Sequence, residues 1–120
     1  MFDIVFYQDK NGKEPVKLYL IELSKKKDKD SRIKLNKIRD YIKVLSLHGV
    51  TAGEPYIKHL EAEIWEIRPL RDRILFAAYK NQSFVLLYQF MKTTRKTPQQ
   101  HIERAKKNLK DMIKRGNNNE

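Results

Sequence analysis

A chain of 120 residues with 40% hydrophobic and 10% aromatic side chains has enough apolar surface for one packed domain and too little length for two. Its 26 Lys and Arg outweigh 15 Asp and Glu, a net charge of +11, which points to a polyanionic partner: nucleic acid, an acidic protein or an anionic surface. No apolar run reaches the length of a membrane span, the first residues lack a secretory pattern, and there is no cysteine; disulfides, zinc thiolates and thiol catalysis are removed, and a cytoplasmic protein is expected.

The elements follow in chain order. Residues 2–7 alternate as Phe2, Ile4, Phe6 against Asp3, Val5, Tyr7, which predicts a strand, and Asn11-Gly12 marks a turn. Pro15 suits the first turn of a helix, and Val16, Tyr19, Leu20 and Leu23 form one helical stripe behind it. The charged run from Ser24 to Asp30 reads as a solvated connection. Leu35, Ile38, Ile42 and Leu45 predict a second helix, which Gly49 suits as an end.

After Gly53-Glu54-Pro55 the period changes to two. Strands are predicted at 63–69, 73–80 and 83–91; the last two are nearly continuous apolar runs and should be central. The short connections Leu70-Arg71-Asp72 and Asn81-Gln82 require antiparallel neighbours. Thr97 as N-cap, Pro98 and Gln100 resemble a capping box, and Ile102, Ala105, Leu109, Met112 and Ile113 give the final helix its apolar face. The expectation is an α+β domain over 1–115, order β-α-α-β-β-β-α, with helices on a mainly antiparallel sheet. Residues 116–120 are expected to be a flexible tail.

Several chemistries find no foothold in this pattern. No glycine-rich loop cradles a phosphate, His48, His59 and His101 lack metal-ligand spacing, the acids form no metal-binding series, and no serine sits on an elbow. Neither a metal nor a cofactor is expected. Most of the positive excess, +6, lies in residues 24–48 and suits a solvated helix face.

The cations that invite chemistry sit at strand ends. Glu66 and Arg68 project to the same side of a strand, and Arg73 opens the next one. The plainer reading of Glu66 and Arg68 is a surface ion pair. Lys92 shares a strand face with Tyr88 and Phe90, and Arg95 and Lys96 follow before the Thr97 cap. Together they predict a basic concavity beside a helix N-terminus, which favours anions and suits a phosphodiester.

Three segments carry a resemblance: Ile64-Trp65-Glu66-Ile67-Arg68; Arg73 to Tyr79; and Phe90-Met91-Lys92-Thr93-Thr94-Arg95-Lys96-Thr97-Pro98, with Ala105 seven residues beyond the proline. They resemble the HigB-like, phage-derived branch of the RelE/ParE toxin superfamily over about residues 2–115. Thr93 stands where that branch often has a second lysine. The resemblance implies a RelE-like fold and a toxin of a type II toxin–antitoxin pair, a ribosome-dependent mRNA endoribonuclease that inhibits translation. Cleavage would proceed without metal, by attack of a 2′-hydroxyl on the adjacent phosphate.

Carried over position by position, Arg68, Arg73 and Lys92 would supply the electrostatic part of catalysis. Glu66 would act as base or as the partner that orients an arginine. Arg95 and Lys96, with Lys34, Lys37 and Lys43 on the second helix, would bind RNA. The implied partners are the ribosome, mRNA and a helix-turn-helix, HigA-like antitoxin through which the pair binds operator DNA. No membrane partner is implied. Two readings from other classes stay open: a ParE-like gyrase inhibitor, and a non-catalytic phage-derived module that binds nucleic acid or a protein.

Overall fold

The two apolar runs at the centre of the chain become the two central strands of a five-stranded sheet. The computed structural model describes residues 1–118. The strands are β1 (Asp3–Phe6), β2 (Ile57–Glu61), β3 (Ile64–Ile67), β4 (Asp72–Tyr79) and β5 (Ser83–Met91). The helices are α1 (Pro15–Lys25), α2 (Lys29–His48) and α3 (Gln99–Asn118), with a short 3-10 turn at Gly49–Ala52. Sheet order is β1-β5-β4-β3-β2; β1 runs parallel to β5, and the other pairs are antiparallel. The class and the succession of elements are those expected, with one strand more.

That extra strand is β2. Only Ile57 in it is buried, while Lys58 and His59 face solvent. As an edge strand it has no apolar alternation to betray it; pairing with β3, Lys58 opposite Glu66, is what defines it.

The sheet is covered on both faces. On one, α1 and α2 bury Val16, Leu23, Leu35, Ile38 and Leu45 against Ile67, Ile74, Phe76 and Phe84. On the other, α3 buries Ile102, Ala105 and Leu109 against Ile64, Leu75, Ala77 and Val85. Each fully buried aliphatic side chain contributes about 2 kcal/mol. Asp28 accepts from the Ser31 amide at 2.9 Å, so α2 begins inside the run read as a connection. Gly49 ends α2 at φ +60°, and a Cβ there would stand 2.8 Å from the Phe2 ring.

Two details matter for the site. Leu75 pairs with Tyr88 but Phe76 pairs with Leu86, so β5 carries one extra residue, Leu87. Beyond this bulge the alternation changes phase, and Leu87, Tyr88 and Phe90 all pack on the α3 side. The final helix also differs from expectation at both ends. The Thr97 hydroxyl donates to Glu66 at 2.7 Å, and the helix opens at Gln99. At its other end α3 runs on through Gly116 to Asn118, where a tail was expected; residues 119–120 of that tail lie outside the described residues. The helix end is held because Arg115 binds Asp111 and the Gln8 carbonyl, while the Tyr7 hydroxyl donates to Asp111 at 2.6 Å.

Candidate functional site

Alternation in β3 sends Ile64, Glu66 and Arg68 to the α3 side and Trp65 and Ile67 to the other. Lys58 crosses from β2 opposite Glu66, and the segment before α3 closes over them. The result is a recess of about 270 Å³ lined by Lys58, Glu66, Arg68, Arg95, Lys96 and Thr97, beside the first residues of α3. Glu61 on its rim is bound by Lys106 and by Gln99, and the Lys106 contact holds its carboxyl below the usual range.

Glu66 is the pivot. It is only 2% exposed, so the surface pair suggested by the sequence is in fact a buried one. One oxygen accepts from Thr97; the other lies 3.4 Å from Arg68 Nε. That ion pair falls outside hydrogen-bonding geometry, and Arg68 Nε has no hydrogen-bond partner among the described residues. The far end of the same guanidinium donates to Glu54 at 2.9 Å. Arg68 is thus held from two sides while its outer edge faces the recess.

Arg73 occupies a different position from the one its motif suggested. It is 6% exposed, does not line the recess, and donates to the carbonyls of Leu70 (2.9 Å) and Asp72 (2.8 Å), pinning the β3–β4 turn. Burial pulls its pKa down and Glu66 opposes that pull, but a guanidinium remains charged. It therefore adds positive field at Glu66.

Lys92 also stands apart from the recess lining. Its backbone is clamped by Arg71, whose carbonyl accepts from the Lys92 amide at 2.7 Å and whose guanidinium donates to the Lys92 carbonyl at 3.2 Å. Lys34, Lys37 and Lys43 lie on α2, in the layer across the sheet. Lys34 is 3.5 Å from Asp72, 3.3 Å from the Met91 sulfur and over the Tyr19 ring, so it is committed to the fold.

Lys58 and the Thr97 hydroxyl are site groups that the sequence reading did not identify. Lys58 would have been found had the register of β2 on β3 been recognised. Near the start of α3, His101 stacks on Phe90 at 4.0 Å and 15°, with Nδ1 3.1 Å from the Tyr88 hydroxyl; burial lowers its pKa, which favours a neutral ring.

The chemistry available in the recess is anion binding. Four cations converge on one opening, the carboxylate within it is internally compensated, and a 20-residue helix begins at its edge. Among the described residues, no group of three His, Asp or Glu is placed to hold a metal ion, and no helix is long and apolar enough to cross a membrane.

A family model described as "Phage derived protein Gp49-like (DUF891)" matches residues 17–110, which span every residue named around the recess. The chain belongs to the Gp49-like family. This is a RelE/toxin-like family whose members are commonly toxins of toxin–antitoxin systems. No curated protein matches the chain.

Proposed function

We propose that this Gp49-like protein is the toxin of a type II toxin–antitoxin pair and cuts mRNA on the ribosome. The observation that carries the reading is the recess in which Lys58, Arg68, Arg95 and Lys96 surround the buried Glu66 at the start of α3. In the reaction a 2′-oxygen attacks the adjacent phosphorus as the bond to the 5′-oxygen breaks. The 2′-hydroxyl loses its proton, the 5′-oxygen gains one, and the products are a 2′,3′-cyclic phosphate and a 5′-hydroxyl.

The five-coordinate phosphorane gathers negative charge on its equatorial oxygens. Arg68, Arg95 and Lys96 stabilise that charge more than they stabilise the ground-state diester, which lowers the barrier. Glu66 acts as a positioning residue: sealed from solvent, it fixes Arg68 and Thr97 rather than removing a substrate proton. Arg73 serves through its field and by holding the turn. Lys92 borders the path of the RNA, and exposed Lys43 with half-buried Lys37 provides sequence-independent attraction to ribosomal phosphate. A helix-turn-helix antitoxin neutralises the toxin and carries the pair to operator DNA.

The decisive experiment is brief induction followed by mapping of 5′ ends on ribosome-bound messages, with wild type beside Arg68→Ala and an Arg95→Ala/Lys96→Ala pair. Cleavage and growth arrest should be lost in both variants while folding is retained. A folded Arg95→Ala/Lys96→Ala protein with full toxicity overturns the site. Intact transcripts with DNA damage in wild type point instead to a gyrase poison, and no arrest at all points to a binding module.

A further inference from the structure

The second half of α3 carries a surface that neither the recess nor the core explains. Where α3 passes the end of β4, a groove of about 760 Å³ opens, with a floor of Ala62, Ala78, Leu109 and Ile113. Its depth has a local cause. Trp65 pairs with Phe76 and β3 begins at Ile64, whereas β4 runs on to Tyr79, so Ala78 has no strand beside it on that side. Ala62, in the β2–β3 turn at φ +50°, is too small to fill the space, and Ala78, paired with Phe84, turns its methyl to the other face of the sheet. Ile113 is left 44% exposed on a helix whose Ile102, Ala105 and Leu109 are packed away.

Charge defines what fits there. Lys110 and Lys114 stand one turn apart on the rim, and neither has an ion-pair partner among the described residues. Lys106, one turn earlier, is already taken by Glu61 and Glu103. Glu63 is the single acid along the groove. An aliphatic floor beside an unneutralised lysine pair at i and i+4 complements a helix bearing an apolar stripe flanked by Glu or Asp.

Other occupants fit less well. Ribose-phosphate gains nothing from an aliphatic floor, and no aromatic ring lies in it for a base to stack on. A bilayer surface is met by protruding apolar side chains, and this is a trough. A second copy of a chain carrying +11 is repelled. We infer that the groove between α3 and the end of β4 is a docking site for an acidic amphipathic helix of a partner protein. It lies roughly 15 Å along α3 from the helix start, a distance set by the 1.5 Å rise per residue, so it is separate from the recess. This inference does not depend on what the recess does.

The test uses the full chain, made by cell-free synthesis with 15N label. The probes are a short helical peptide with a leucine stripe flanked by Glu, the same peptide with Gln or Lys in place of Glu, oligouridylate, and phosphatidylglycerol vesicles. The Glu peptide should bind about tenfold more tightly than the Gln peptide, a difference of about 1.4 kcal/mol. Amide shifts should be confined to the neighbourhood of Ala62, Ala78, Leu109 and Ile113. Ile113→Asp should abolish binding, and Lys110→Glu/Lys114→Glu should switch the preference to the Lys peptide without altering growth arrest. Failure of every peptide to bind, shifts centred on Arg68 and Lys96, an unchanged preference in the charge-reversed variant, or tighter binding of oligouridylate or vesicles at these residues would each overturn the assignment.

Discussion

Two buried carboxylates, one on each face of the sheet, do different work with nearly the same ingredients. Asp72 is fully buried on the α1–α2 side, where it accepts from Tyr19 (2.7 Å) and Gln89 (2.9 Å) and lies 3.5 Å from Lys34. Glu66, on the α3 side, accepts from Thr97, lies beside Arg68 and interacts electrostatically with Arg73. The partners of Asp72 come from α1, α2 and β5, so the group fastens both helices to the sheet. Those of Glu66 come from the recess, so the group presents a hydroxyl and a guanidinium to whatever enters. A buried acid with a cation is thus no sign of a site in itself; Lys34 and Arg68 are equally exposed, and what distinguishes the two is that Arg68 opens onto a recess shared with three further cations.

Asp72→Ala is the severest test of that contrast. It leaves Lys34 without its counter-ion and the Tyr19 hydroxyl without its acceptor, and should cost about 3 kcal/mol in urea unfolding. A loss of less than about 1 kcal/mol would remove the distinction between fastening and site, since a single typical hydrogen bond is worth that much. Next in size is Arg68→Lys, which keeps the charge but loses the planar fork; cleavage should fall about 100-fold, or about 2.7 kcal/mol, in single-turnover assays on ribosome-bound message.

Tyr7 probes the far end of α3 on the same face as Glu66. Burial first, and Asp111 next, push its phenol from 10.0 up to about 12. A neutral group whose folded pKa is raised contributes in full below pH 10, and its contribution drains away as pH climbs from 10 to 12. Relative to Tyr7→Phe, wild type should therefore lose about 2 kcal/mol across that window, measured by chemical denaturation at stepped pH. Tyr19, raised mainly by burial and then by Asp72, should give a loss of the same sign on the other face.

The smaller effects concern salt. Binding of a 2′-O-methyl oligonucleotide should follow a log–log salt slope of about −3 for four cations, and Lys96→Ala should reduce its magnitude by about 0.7. Lys43→Ala, on the opposite layer, should change that affinity less than about twofold, under 0.5 kcal/mol, while weakening association with whole ribosomes at low salt.

Much of this was legible in the chain. Apolar stripes such as Val16–Leu23 and Leu35–Leu45 announce helices because burial repeats with the helical turn, and the 73–91 region announces a central hairpin because both faces are covered. The placement of Glu66 and Arg68 on one face followed from strand alternation. Other features depend on contacts between distant residues. The Leu87 bulge is hidden inside a uniformly apolar run, where a change of phase leaves no trace in composition. Lys34 looked like its neighbours on α2 because Asp72, its partner, is 38 residues away. Arg73 sits at a motif position but is turned inward by two carbonyls of the turn before it. Lys58 was invisible because its strand is an edge strand.

The parallel pairing of β1 with β5, Asp3 alongside Ser83, has a consequence for the order of events during synthesis. The first strand made must wait for the last before it has a neighbour, and the lining residues Arg95, Lys96 and Thr97 emerge later still. A chain leaving the ribosome N-terminus first therefore completes its sheet only after β5, and its recess only after Thr97, has emerged. Under the proposed function, a chain still growing on the ribosome carries no formed cutting site, and neither does one terminated before Arg95.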